Sequence, residues 1–118
     1  MNDQIYNWLK GFPGLELLQR QQVDAVPGGC GLFFRGVTVK DSRTNLLGQV
    51  QSLKTLNFRL CRYGDPQESP IFFLLLASWV ETNPPKGTAA LKNSRSIRDN
   101  GGLALWEADL EITFWEDL

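Results

Sequence analysis

"CGLFFRGVTVKDSRTNLLGQVQSLKTLNFRLC", residues 30–61, carries the only two cysteines of the chain, one at each end. Residues 30–40 and 50–62 are rich in β-branched and aromatic types and flank the polar stretch "DSRTNLLGQ", the pattern of a long β-hairpin. Setting Phe33 opposite Phe58 places Gly31 opposite Leu60, Arg35 opposite Leu56, Val37 opposite Lys54, Val39 opposite Ser52 and Cys30 opposite Cys61. One largely apolar face results. Directly opposed side chains have Cβ atoms ~4.5–5.5 Å apart, whereas disulfides want ~3.8 Å, so a bridge is conceivable but not favoured. A bulge at Gly36 would shift the register by one residue and undo the pairing. The favoured expectation is two reduced thiols packed near a strand end, with a disulfide as the alternative and a metal or nucleophile role as a remainder.

The chain has 118 residues, the size of a single domain (residues 1–118) with one sizeable core. With 42% hydrophobic and 21% charged residues it has an ordinary globular composition, which argues against disorder. A net charge of −1 removes the global electrostatic case for nucleic-acid binding. The segment "MNDQIYNWLKGF" lacks the basic-then-apolar pattern of a secretory signal, and "IFFLLLASWV" is about half of what a membrane span needs. The expectation is a cytosolic chain with reduced thiols and no membrane partner. No histidine is present, which removes histidine metal sites, Ser-His-Asp triads and Cys-His pairs. No GxGxxG, P-loop or HExxH occurs. No catalytic, cofactor-binding or metal-binding residue is therefore assigned, although an enzyme working through Asp and Glu stays open as a remote reading.

Residues 2–10 predict a short helix with Asp3 as cap and Ile5, Trp8 and Leu9 on one face, stopped by "GFPG". "LELLQRQQV" predicts a short strand, and "VPGG" at 26–29 a turn. A helix over about 70–82 is the clearest element: Ser69 as N-cap, Pro70 in the first helical position, and Ile71, Phe72, Leu75, Leu76, Trp79 and Val80 as a wide apolar stripe. Asn83-Pro84-Pro85 ends it. The stripe is wide enough to suggest a second packing surface, either the amino-terminal helix or another subunit. "KGTAALKNSRSIRDNGG" reads as loop with a short strand near 94–98 and a turn at "DNGG". In "LALWEADLEITFWEDL", Ala104, Trp106, Ala108, Leu110, Ile112 and Phe114 alternate with Glu107, Asp109, Glu111 and Thr113. That is a long strand with one core face and one acidic face. The fold class is α+β in the order α-β-β-β-α-β-β: a mostly antiparallel twisted sheet with a long β-hairpin, flanked by the short amino-terminal helix and the packed helix.

Three constellations are candidates for function. Glu107, Asp109 and Glu111 form an acidic stripe, read as a solvated face, a divalent-cation site lacking other ligands, or an assembly surface that meets a basic neighbour or lines an acidic opening. Arg35, Arg43, Lys54, Arg59, Arg62, Arg95 and Arg98, interleaved with Phe34 and Phe58, faintly suggest a single-stranded nucleic-acid platform. Third, the hairpin is long for so small a domain: it is either fully absorbed into one sheet or projects, and a projecting hairpin with an exposed edge strand is a usual device for subunit contact. As candidate assembly-interface residues these yield Glu107, Asp109, Glu111, Arg59 and Arg62, although a regular strand puts Arg59 and Arg62 on opposite faces.

The succession of a "W-L" helix, "FPG", the long hairpin, a Trp-bearing helix ("FFLLLASWVE"), "LKNSRSIRDNGG" and the alternating strand "ALWEADLEITFW" resembles the small minor capsid and tail-terminator (tail-completion) proteins of long-tailed bacteriophages and prophages. The likeness is one of element order and strand character over nearly the whole chain, with no diagnostic motif. It implies a structural virion protein without catalytic residues or cofactors, assembled in the bacterial cytoplasm. It implies rings, commonly hexameric, that stop tail-tube growth, contact tail-tube and head-connector proteins, and let DNA pass without specific binding. The alternative expectation is a small non-viral binding module for a protein or single-stranded nucleic acid.

Overall fold

The computed structural model describes residues 2–99 and 102–117. Its elements are α1 (Asn2–Leu9), β1 (Leu18–Arg20), β2 (Cys30–Thr44), β3 (Val50–Gly64), α2 (Ser69–Thr82), β4 (Thr88–Asp99) and β5 (Ala104–Asp117), the α+β order expected from the sequence. One five-stranded sheet has the order β1-β2-β3-β5-β4. Every neighbour is antiparallel except the short β1, which runs parallel to β2 from Leu18↔Cys30 to Arg20↔Leu32. The turn expected at "DNGG" falls on residues 100 and 101, outside the described residues.

β3 and β5 pair without a break from Gln51↔Asp117 to Gly64↔Ala104. Because strand side chains alternate, this sorts the two strands into two faces. Leu56, Phe58 and Leu60 of β3, Ala108, Leu110 and Ile112 of β5, and Ala89 and Leu91 of β4 are buried on one face, under α1 and α2. Ile5 and Leu9 enter from α1; Phe73, Leu76 and Val80 enter from α2. Trp106, half-buried at the margin, stacks on Phe73 with ring centroids 6.0 Å apart. An aromatic clasp joins the two helices: Trp8 stacks on Trp79 at 5.3 Å, and Phe12 packs against both Phe72 and Trp79. The Trp8 indole also donates to the carbonyl of Asn83, the residue that closes α2.

The hairpin register differs from the expectation. Cys30 lies opposite Arg62, Gly31 opposite Cys61, and Phe34 rather than Phe33 opposite Phe58, the last two rings 5.4 Å apart. Bulges between Phe34 and Gly36 and between Val39 and Asp41 are the cause. Unbroken alternation would put Phe33 on one face with Val37 and Val39. The first bulge reverses the parity, so Phe34 shares that face instead. Gly36 holds φ at 121° there, a conformation that favours glycine. With the shifted register the two cysteines point to opposite faces and cannot bridge.

Two further expectations are corrected. Ser69 is not the cap of α2: Glu68 takes that position, and the Ser69 hydroxyl donates 2.8 Å back to the Asp65 carbonyl from within the first turn. The buried stripe of α2 is Phe73, Leu76 and Val80, with Phe72 and Trp79 half-buried, whereas Ile71 and Leu75 face solvent beside Leu74. A helix that is apolar on every side gives no sequence signal for which side is covered. β4 also begins six residues before the short strand expected near 94–98. Ala89 and Leu91 are drawn in by burial against the core, although neither type favours strands.

The principal extents are 58 × 23 × 22 Å, because the helices cover only part of the sheet. Beyond the level of Leu56 the distal β2–β3 hairpin continues as an arm whose Val37, Val39 and Val50 are exposed, with Leu46 and Leu47 fully exposed at its tip. The packing predicts a sharp contrast between neighbours in α2. Leu76→Ala lowers unfolding free energy by about 2–5 kcal/mol, and Leu75→Ala changes that of the monomer by no more than about 0.5 kcal/mol. Urea unfolding of dilute protein checks both, and a larger loss at Leu75 would mean that α2 is rotated from this placement.

Candidate assembly interface

The odd-numbered positions of β3 and β5 form the face not covered by helices. The register lines up Cys61 with Glu107, Arg59 with Asp109, Asn57 with Glu111 and Thr55 with Thr113, while β4 adds Arg95 opposite Glu107 and Lys92 opposite Asp109. The acidic stripe is thus seated among cations of the same chain. Arg59 Nε is 3.6 Å from Glu107 Oε2 and 3.8 Å from Asp109 Oδ1. The Arg95 guanidinium pairs with Glu107 and lies 4.0 Å from Asp109, and Lys92 Nζ is 3.1 Å from Glu111. Asn93, in the left-handed region at φ 58°, donates 3.0 Å to Asp109 Oδ2, and its own carbonyl accepts from Arg95 at 2.7 Å. The bulge at 93–94 is what turns these side chains onto the stripe.

This geometry changes the roles expected of the five interface residues. Glu107, Asp109 and Glu111 do lie together on one open face, and Arg59 lies with them. Arg59 is nevertheless engaged inside the chain, so it is not a free partner for a neighbour's carboxylates. Arg62 is on the opposite face: its guanidinium lies 3.9 Å over the Phe72 ring and Nε donates 3.1 Å to the Gly14 carbonyl. Burial works against its charge there and lowers its pKa. Three carboxylates facing Arg59, Arg95 and Lys92 make a balanced network, not an acidic lining, and any cation would have to displace those three. Among the described residues no group of three or more His, Cys, Asp or Glu is arranged to hold a metal ion. A shallow hollow of about 230 Å³ beside the network is lined by Arg35, Asn57, Arg59, Asp109 and Glu111, below the ~300–1,000 Å³ typical of small-molecule pockets.

Both thiols are buried and free. Desolvation pushes each up to about 11 from an ordinary 9.0, and the Glu107 carboxylate adds to the rise at Cys61. Gly31, directly across from Cys61, runs beneath the loop that precedes β2: a Cβ there would sit 2.1 Å from the Gln22 carbonyl oxygen. Thiols held this far from thiolate are poor nucleophiles. The basic residues proposed for nucleic acid are likewise largely occupied, since Arg43 lies 3.8 Å over the Trp115 ring and Lys54 pairs with Glu116 at 3.5 Å. Sequence reasoning offered a projecting hairpin and a second packing surface on the helix, but not which side chains each leaves exposed, because exposure of a valine or leucine depends on which elements cover it. Among the described residues no helix is long and apolar enough to cross a membrane. Compared with protein-family models and with curated sequences, the chain matches none.

The network and the thiols each lead to a measurement. In a double-mutant cycle on monomeric protein, Arg59→Ala and Glu107→Ala couple by about 0.5–1 kcal/mol in unfolding free energy at low ionic strength. Coupling should shrink in about 1 M salt, and zero coupling at low salt would mean the pair does not form within the chain. Under denaturing, non-reducing conditions a thiol reagent should titrate two groups per chain, and none would establish a disulfide. In the folded protein labelling should be slow at neutral pH. Because folding raises both pKa values, the neutral thiols contribute stability in full below about 9, and that contribution is lost as pH climbs through about 11.

Proposed function

We propose that this chain is a non-catalytic structural protein that works by assembling with copies of itself, as a tail-terminator or minor capsid protein of a phage or prophage. The observation that carries the reading is the arm. The distal hairpin of a 58 Å molecule, backed by β5 on one edge only, exposes Val37, Val39 and Val50 along one face and Leu46 and Leu47 at its tip. Large apolar side chains grouped this way on a small domain mark a contact surface. The balanced charged face supports the same reading, since paired side chains on an open sheet face suit a stable scaffold better than a binding cleft.

The order of elements that resembles the tail-terminator proteins is also the order of the fold. On this reading copies of the chain form a ring, of six in the form the resemblance suggests, at the head end of a tail tube. There it contacts tail-tube and connector proteins in the virion and lets DNA pass through its opening without sequence-specific binding. The alternative, a small module binding one protein or a single strand of nucleic acid, would use the arm equally well.

Light scattering of the purified chain, alone and with purified tail-tube protein, tests the proposal, with electron microscopy of the tubes. The expected outcome is a discrete multimer and tubes blocked at one end. A chain that stays monomeric under every condition and leaves tube growth unaffected would overturn the assembly reading and favour the binding module.

A further inference from the structure

α2 is apolar on two opposite sides. Of its 14 residues, "SPIFFLLLASWVET", Glu81 is the one with a charge. Ser69, Phe73, Leu76 and Val80 are buried against the chain's own sheet. Ile71, Leu74 and Leu75, at helical spacings of three and four, lie on the far side and are 61%, 71% and 58% exposed. A helix with this character is normally enclosed on all sides. A membrane does not supply the enclosure by spanning, because 14 residues reach only ~21 Å against a hydrocarbon core of ~30 Å.

A matching surface exists on the same chain. The pairings Val37↔Leu56, Val39↔Lys54 and Thr44↔Val50 put Val37, Val39 and Val50 on the sheet face that, nearer the helices, forms the core. The arm therefore continues the surface on which α2 already packs, but without a helix over it. From Val37 to the tip it is roughly 30 Å long at ~3.3 Å per residue, enough to lie along the whole of α2. The outer side of α2 points away from its own sheet, so its own arm cannot reach it.

We propose that the arm of one copy lies across the outer side of α2 of the next, with Val37, Val39 and Val50 against Ile71, Leu74 and Leu75. This inference rests on the self-assembly reading and names its contact. The helix is then enclosed between its own sheet and its neighbour's arm, whose Lys54, opposite Val39, is already paired with Glu116 of the same chain. The contact joins two different patches, so it is heterologous: every copy gives an arm and receives one, and the chain of contacts either closes into a ring or runs on. A back-to-back pairing of two α2 helices would cover the helix patch alone and leave the arm bare.

Two substitutions at exposed sites test this, Leu74→Glu and Val39→Glu, with circular dichroism melts to show that each variant folds. Mass is read by analytical ultracentrifugation of wild type, each variant, and an equimolar mixture. Each variant alone should be monomeric where wild type assembles. The mixture should form dimers and stop there, because an intact arm on Leu74→Glu can meet an intact α2 on Val39→Glu only once. If wild type assembles and either variant assembles like it, the contact lies elsewhere and this inference fails while self-assembly stands. If only Leu74→Glu is disrupted, the helices pair back to back and the inference also fails. If wild type itself never assembles, the self-assembly reading falls and takes this contact with it.

Discussion

The unbroken pairing of β3 with β5 is the constraint on which the rest of the molecule depends. From Gln51↔Asp117 to Gly64↔Ala104 no residue is inserted on either side. Strand alternation therefore holds over the full length of both strands, and a slip of one residue would exchange the two faces entirely. Everything placed on the core side, Leu56 to Leu60 and Ala108 to Ile112, and everything on the charged side, Arg59 with Glu107 and Asp109, follows from that one register. β2 and β4 adapt to it through their bulges rather than altering it.

The helices then divide the core face unequally. The aromatic clasp of Trp8, Phe12, Phe72 and Trp79 holds α1 and the following loop against α2, and Arg62 caps the same cluster from the sheet. This concentrates the buried apolar surface toward one end. The distal hairpin is left as a ribbon held by pairing to β5, by Arg43 over Trp115 and by Gln51 donating to Asp117. Its apolar face is thus not a packing defect but the same surface left without its cover.

Much of this was legible in the residues. The alternation in 104–114 placed the acidic stripe opposite the core, and the spacing in α1 placed Ile5 and Leu9 inside. The order of elements followed from punctuation by "GFPG", "VPGG" and Asn83-Pro84-Pro85. The hairpin register was not legible, because "FFRGV" offers two adjacent phenylalanines and only the backbone at Gly36 decides which one faces inward. The inner side of α2 was equally hidden, since Ile71 and Leu75 are as apolar as Phe73 and Leu76. The intrachain partners of the acidic stripe depended on where β4 starts and on its bulge at Asn93, neither of which a single-strand pattern reports.

The bulges bear on how such a sheet survives at high concentration in a cell. β4, and the stretch of β2 beyond β1, have a strand neighbour on one side only, the usual template for runaway edge-to-edge aggregation. On β4 the register breaks after Lys92 and again after Ser96, and on the open stretch of β2 it breaks at Gly36 and Asp41. No run on either edge exceeds the five residues from Thr88 to Lys92, so a foreign strand finds no long straight ladder to extend. Edges interrupted in this way leave the molecule with faces for recognition and little straight strand for amyloid-like growth to extend.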